Sequence, residues 1–149
     1  MWNKIKTKDQ RFDIMKIIGI EHIGIAVDNL DRESKFWNEI LGIKFSSTEN
    51  VDDQGVKTDI YDTGSGKIEL LLSKYPNSPI DKFIQKRGPG IHHICLEVEN
   101  IDDAIEFMLK NEIKLIGDEP IIGAEGYRVI FIHPTSAGGV LVELAEKPA

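Results

Sequence analysis

Four side chains in this 149-residue chain could share one metal ion: His22, Glu69, His93 and Glu143. They come as two pairs because the sequence repeats itself. The stretch EHIGIAVDNLD, Glu21 to Asp31, returns as HHICLEVENID, His92 to Asp102. A single offset of 71 residues lays His22 on His93, Asn29 on Asn100, Asp31 on Asp102 and Phe36 on Phe107. Each copy then closes on a glutamate, Lys67-Ile68-Glu69-Leu70-Leu71 in the first and Leu141-Val142-Glu143-Leu144-Ala145 in the second. Two imidazoles and two carboxylates about a pseudo-two-fold axis suit a hard-to-borderline divalent cation such as Mn²⁺, Co²⁺, Ni²⁺, Fe²⁺ or Zn²⁺. Two octahedral positions remain for water or substrate. A closed structural zinc site would draw on cysteines, and the chain has only Cys95.

Strand alternation decides where the four point. In 20–27, Ile23, Ile25 and Val27 form one face and His22, Gly24 and Ala26 the other. His93 shares a face with Cys95 and Glu97, opposite Ile94, Leu96 and Val98; Glu69 and Glu143 likewise oppose Ile68, Leu70, Val142 and Leu144. By this alternation His92 points away from the site that His93 enters. Asn29 or Asp31 caps a helix through about Leu41, with Gly42 as its stop. Strands follow over 43–51, 56–62 and 67–73, then a helix over 80–86. The second half reads as a strand over 91–98, a helix over 102–111, and strands near 113–117, 127–133 and 139–146. This is βαβββ written twice, an α+β fold of two modules forming a cupped mixed sheet with helices outside. The chain divides into an N-terminal extension (1–17, expected to be flexible), a first module (18–74), a linker with a short helix (75–89) and a second module (90–149). Together they form one structural domain. The four side chains converge only if the open faces of both modules curl into one sheet.

Bulk properties exclude other classes. A net charge of −7 argues against a nucleic-acid binder. No apolar run approaches the ~20 residues of a membrane span. Residues 1–16 lack the apolar segment of a secretory signal. One cysteine fits a reducing cytoplasm, and Cys95, mid-strand among apolar residues, reads as a buried filler. His133, before Pro134 and without a counterpart in the first half, reads as structural. Glu49, in a polar run, reads as a solvated edge residue.

The same residues carry a family resemblance. Paired βαβββ modules with His and Glu on the open face resemble the vicinal oxygen chelate (glyoxalase-like) superfamily, and within it the methylmalonyl-CoA epimerases. The similar motifs are GIHHICLEV (Gly90–Val98), Asp118-Glu119-Pro120, GAEGYRV (Gly123–Val129), FIHPTS (Phe131–Ser136) and GVLVEL (Gly139–Leu144). In the first module they are HIGIAV (His22–Val27) and Gln54-Gly55-Val56. The resemblance spans about residues 19–147. It implies metal-dependent interconversion of (2R)- and (2S)-methylmalonyl-CoA, with His22, Glu69, His93 and Glu143 as ligands of a divalent ion such as Co²⁺ or Mn²⁺. Some relatives carry a free catalytic Glu a few residues after Gln-Gly-Val, where this chain has Thr58 followed by Asp59. The reading adopted is that Glu69 and Glu143 are both ligands and proton carriers, one per face, with Asp59 on the wrong side of its strand. The loop Gly126-Tyr127-Arg128 is expected to bind substrate, as the matching loop does in relatives. Lys82, Lys86 and Arg87 read as a solvated helix edge, with the 3′-phosphate of coenzyme A as the alternative.

The resemblance also implies a homodimer that covers exposed sheet edges, an acyl-CoA as small-molecule partner, and neither nucleic acid nor membrane. Two other functions fit the fold: a glyoxalase I-type lyase acting on a glutathione hemithioacetal, and a metal-free small-molecule-binding protein.

Overall fold

The computed structural model describes residues 15–149. Most of the expected extension, up to residue 14, lies outside the described residues; Ile17 already belongs to a strand. The first module contains β1 (Ile17–Val27), α1 (Leu30–Ser34), β2 (Lys44–Val51), β3 (Val56–Asp62) and β4 (Lys67–Ser73). After α2 (Pro79–Arg87) the second module repeats the order as β5 (Gly90–Val98), α3 (Ile101–Lys110), β6 (Leu115–Ile122), β7 (Arg128–Ile132) and β8 (Val142–Glu146).

Eight strands form one mixed sheet in the order β2-β3-β4-β1-β5-β8-β7-β6. β1 and β5 pair antiparallel at its centre, and each takes its own module's last strand, β4 or β8, as a parallel neighbour. The βαβββ reading is therefore the observed architecture. Equivalent caps start the helices: Asn29 Oδ1 accepts from Arg32 N at 2.9 Å, and Asn100 Oδ1 accepts from Asp103 N at 2.9 Å. The first helix does not continue as one α-helix to Leu41. It widens into a π-helical segment, Lys35–Ile40, and Leu41 N donates to Phe36 O at 3.0 Å.

The helices inside the two modules, α1 and α3, cover the convex face, whereas the linker helix α2 lies on the concave side. Ile101, Ala104 and Met108 of α3 pack on Val98, Ile130, Ile132 and Leu144. Leu30 and Trp37 lie over Val27, Tyr61 and Leu70 in the first module. The concave face is also sequestered: Val56 and Leu71 pack under Ile80 of α2, and Cys95 packs with Tyr127, Val129 and Ala145. His22, Gly24 and Ala26, the side expected to be open, are all buried.

Three register shifts interrupt the central pair, and two of them, both β-bulges, fall at the site. Ile20 pairs with Leu96 and His22 with Cys95, which leaves Glu21 as an extra residue on β1. Gly24 pairs with His93 and Ile25 with Ile91, which leaves His92 as the extra residue on β5. A bulge breaks strict alternation, so a bulged residue and its neighbour can face the same side. That is why His92 does not point away from His93 as alternation alone demands. The curl of the sheet is closed across its open side: Glu125 N, in the β6–β7 loop, donates to Glu49 Oε2 of β2 at 2.8 Å. Glu49 is thus a tie between modules and not a solvated edge residue.

Candidate metal centre and active site

β1, β4, β5 and β8 each deliver one of the four expected side chains to the concave face. His22 pairs with Cys95 and His93 with Gly24 across the centre, while Glu69 sits beside Gly24 and Glu143 beside Cys95. The four lie at 5–6% exposure. His22 Nε2 is 2.9 Å from His93 Nε2, 3.3 Å from Glu69 Oε2 and 3.2 Å from Glu143 Oε1; His93 Nε2 is 3.7 Å from Glu143 Oε1. Donors bound cis to one ion at about 2.1 Å stand about 3 Å apart, so the spacing fits a shared cation. Gly24 makes room: a Cβ there would stand 2.2 Å from His93 Cε1.

The bulged residues orient the imidazoles. His22 Nδ1 donates to Glu21 Oε1 at 3.0 Å, which leaves the Nε2 lone pair directed at the centre. Glu21 in turn is 3.3 Å from Lys67 Nζ, which also pairs with Glu125. His92 Nδ1 lies 2.9 Å from His93 Nδ1. With the proton on His93 Nδ1, donated to His92, the His93 Nε2 lone pair also faces the centre.

The electrostatics call for a positive charge at that point. Burial opposes charging His22, but hydrogen bonds to Glu143 and Glu21 and the nearby Glu69 push it up to about 10. Burial, only partly offset by Glu143 and reinforced by His22 and His92, takes His93 down to about 3. Burial also pushes Glu69 up to about 7 against the pull of His22. Glu143 is buried as well, yet its hydrogen bond from His22 and the neighbouring His93 hold it below the ordinary carboxylate value. In the chain alone the His22 proton supplies the charge that the two carboxylates require. A divalent ion suits the same donors, and its binding displaces that proton.

These residues form the floor of a cavity of about 300 Å³, walled by apolar Val56, Leu71, Ile80, Val129 and Phe131. Tyr127 lines it and Gly126 does not. Arg128 faces elsewhere: it is bound to Asp102 at 3.0 Å and Glu146 at 3.1 Å, off the cavity wall. The strand that begins at Arg128 alternates, so Tyr127 and Arg128 take opposite sides. Thr58 lines the cavity, whereas Asp59 accepts from Thr48 Oγ1 at 2.7 Å on the other side. His133 caps a turn, its Nδ1 accepting from Thr135 N at 3.1 Å. Cys95 is fully buried, and burial together with Glu143 keeps its thiol protonated.

Sequence reasoning missed Glu21, His92 and Lys67. The repeat held a signal for the first two: at the same offset Glu21 falls on His92, a polar residue before the histidine in both copies.

Comparisons with known proteins agree with this architecture. Residues 21–131 match the Glyoxalase/Bleomycin resistance protein/Dioxygenase superfamily. Mitochondrial methylmalonyl-CoA epimerase of Mus musculus is 39% identical over 134 residues, 89% of this chain and 75% of that protein. The crystal structure of methylmalonyl-CoA epimerase from Mycobacterium tuberculosis superposes with a TM-score of 0.86 at 32% identity, covering 89% of this chain and 90% of that one. A Streptomyces coelicolor methylmalonyl-CoA epimerase variant in complex with 2-nitronate-propionyl-CoA gives a TM-score of 0.84 at 30% identity, covering 90% and 100%. The chain belongs to the Glyoxalase/Bleomycin resistance protein/Dioxygenase superfamily and, within it, to the methylmalonyl-CoA epimerases.

Proposed function

We propose that this chain interconverts the (2R) and (2S) forms of methylmalonyl-CoA by removing and returning the hydrogen between thioester and carboxylate. The observation that carries the reading is the pair of buried carboxylates, Glu69 from the first module and Glu143 from the second, each within 3.3 Å of His22 Nε2. Epimerisation takes a proton from one face of a carbon and returns one to the other. Carboxylates delivered by opposite modules supply a proton carrier for each face. The apolar wall excludes water that would otherwise compete for the proton.

His22, Glu69, His93 and Glu143 would hold a divalent cation such as Co²⁺ or Mn²⁺, the class of cofactor this superfamily generally uses. The ion would contribute positive charge where the substrate's oxygen becomes anionic. Glu21 and His92 keep the two imidazoles in the tautomer that faces the centre. Tyr127 and Thr58 bound the space left for the acyl group. The reading extends to a cytoplasmic homodimer. Exposed Ile18 and Ile20 on β1 offer apolar surface for a partner copy.

Protein loaded with Co²⁺ is expected to exchange the α-hydrogen of methylmalonyl-CoA with deuterated solvent and to invert the centre. Glu69→Gln and Glu143→Gln are each expected to slow inversion by about 10²–10⁴-fold, with exchange surviving on one epimer only. No exchange, together with turnover of the hemithioacetal of methylglyoxal and glutathione, would replace this reading with a lyase. No metal uptake and no turnover of either compound would leave a binding protein.

A further inference from the structure

Lys67 has no place among the four donors, yet both the metal centre and the cavity wall are tied to it. It opens β4 as the strand partner of His22 in β1, and its side chain is only 17% exposed. On one side it meets Glu21 Oε2 at 3.3 Å, while the other oxygen of that carboxylate, Oε1, accepts from His22 Nδ1. On the other side it meets Glu125 Oε2 at 2.5 Å, in the loop between β6 and β7. Its ammonium also lies 5.6 Å from the centroid of the Tyr127 ring. Among the described residues no other Lys or Arg pairs with either Glu21 or Glu125, so no second cation takes over if Lys67 is lost.

Gly123, Ala124 and Tyr127 line the catalytic cavity, so what holds Glu125 between them holds the wall. Glu125 takes left-handed backbone, with φ 56° and ψ 21°. That conformation is uncommon for a residue with a side chain and persists where the surroundings impose it. Asn77 and Glu112 also have positive φ, but each stands beside a helix end and bonds its N–H locally. Glu125 is instead held from across the open side of the sheet. Its N–H donates to Glu49 Oε2 at 2.8 Å, and its carboxylate accepts from Lys67. Both holders belong to the first module, and Glu49 lies on β2, at the opposite edge of the sheet from β6.

We propose that Lys67 is a positioning residue that makes the cavity wall and the metal centre one unit. Through Glu125 it fixes the loop over 123–127, and through Glu21 it fixes the ring of His22. With one oxygen bound to Lys67 and the other to His22, the Glu21 carboxylate cannot rotate, and the imidazole keeps its lone pair on the centre. Charge-assisted bonds between half-buried and buried groups are the kind strong enough for this task. The inference deepens the metal-centre and epimerase readings and rests on them. Its consequence is an asymmetry: a change at Glu125 loosens the wall alone, and a change at Lys67 loosens the wall and the metal together.

The test compares Lys67→Met, Lys67→Arg and Glu125→Asn by three measurements. These are Co²⁺ titration followed by absorption, amide hydrogen exchange of the loop in chelator, and kcat and KM for methylmalonyl-CoA. Methionine keeps the apolar stem of Lys67 and removes its charge; asparagine tolerates left-handed backbone and removes the Glu125 carboxylate. Losing a positive charge would by itself favour a dication, so a fall in affinity marks lost orientation. In Lys67→Met, Co²⁺ affinity is expected to fall about fivefold or more. Exchange at the Gly123 and Tyr127 amides should rise at least about tenfold, and KM about fivefold with a smaller change in kcat. Lys67→Arg should restore all three to within about twofold. Glu125→Asn should raise exchange and KM by similar factors and leave Co²⁺ affinity within about twofold of the parent. Should Lys67→Met fail to fold, Lys67→Gln is read by the same measurements. Co²⁺ affinity equal to or above the parent's in the neutral Lys67 variant, or loop exchange unchanged in it and in Glu125→Asn, would overturn the inference. Co²⁺ uptake by the parent without turnover would sink the epimerase reading alone, and affinity and exchange would still decide the role of Lys67.

Discussion

Glu21 and His92 hold equivalent places in the two modules, each the extra residue of a bulge and each bonded to Nδ1 of the histidine that follows. The backbone device is the same and its electrical result is opposite. Glu21 is an acid, and its own carboxyl is held below the ordinary value: burial opposes this, but the His22 hydrogen bond and Lys67 prevail. It helps raise His22 to about 10. His92 brings no negative charge, so burial prevails at His93, which falls to about 3. Duplication thus fixed where the imidazoles stand, while the residue before each one sets how tightly it holds a proton. The halves differ at a second equivalent pair, Gly24 and Cys95: the first clears space for His93, the second fills space beside His22.

The largest effect is expected where that clearance is lost. In Gly24→Ala the new methyl would meet His93 Cε1 at 2.2 Å, Nδ1 at 2.5 Å and Nε2 at 2.8 Å. The ring must leave, and a displacement of about 1 Å exceeds the roughly 0.2 Å tolerance of a metal bond. Co²⁺ affinity should fall more than about 100-fold and turnover should fall with it. Titration with Co²⁺, followed by its absorption spectrum, reads the loss directly. Unchanged affinity would mean that His93 is not a ligand.

A smaller loss should separate the two supporting residues. Glu21→Gln keeps an acceptor for His22 Nδ1 and removes the charge; Co²⁺ affinity is expected to fall about 10–100-fold. His92→Gln also keeps an acceptor, for His93 Nδ1, and removes no charge, so its loss should stay below about tenfold. Equal losses would show that tautomer, and not charge, is what the first module's carboxylate contributes.

How far the sequence foretold this follows from what each feature depends on. The order of strands and helices, a first-helix cap at Asn29 or Asp31, and the side of each strand carrying His22, Glu69, His93 and Glu143 rest on local periodicity, and the repeat doubled the signal. The bulges do not announce themselves locally. They are a property of how β1 pairs with β5, so strict alternation misdirected His92 and gave Glu21 no role. Arg128 failed for the converse reason: its motif resembled a binding loop, but alternation along β7 turns it to Asp102 and Glu146. Lys67, Glu49 and Glu125 meet only once the sheet has curled, a contact between residues up to 76 positions apart that no short window contains.

The unlike proton affinities predict unlike pH limits for the metal-free protein. His22 has its pKa raised from 6.5 to about 10, so its contribution to stability is complete below pH 6.5 and is lost as pH rises through about 10. Glu69, raised from 4.5 to about 7, acts in the same direction: its contribution is complete below 4.5 and lost as pH rises through about 7. His93 is lowered from 6.5 to about 3, so its contribution is complete above 6.5 and is lost as pH falls toward 3. Between pH 6.5 and 4.5 the Glu69 and His93 contributions offset each other, so thermal melts in chelator should decline above about pH 6.5 and again below about pH 4.5. Glu21→Gln should flatten the alkaline decline and leave the acid one. The reverse outcome would contradict the assignment of the high-affinity proton to the first module.

Cys95→Ala should have the smallest effect. The thiol packs with Tyr127, Val129 and Ala145, so its loss removes one buried atom from an apolar cluster. That costs about 1 kcal/mol, a Tm decrease of about 2–5 °C for a domain of this size. The comparison with Gly24 makes the result informative, because Cys95 Sγ lies within 4.8 Å of the donor atoms of His22 and Glu143. A thiol that close could become a further ligand, but burial and Glu143 oppose its ionisation. Co²⁺ should therefore bind the variant within about twofold of the parent affinity and show no thiolate charge-transfer band in either protein. A band in the parent that Cys95→Ala abolishes would make the second module a three-donor half-site, and the near-symmetry of the four ligands would no longer describe the centre.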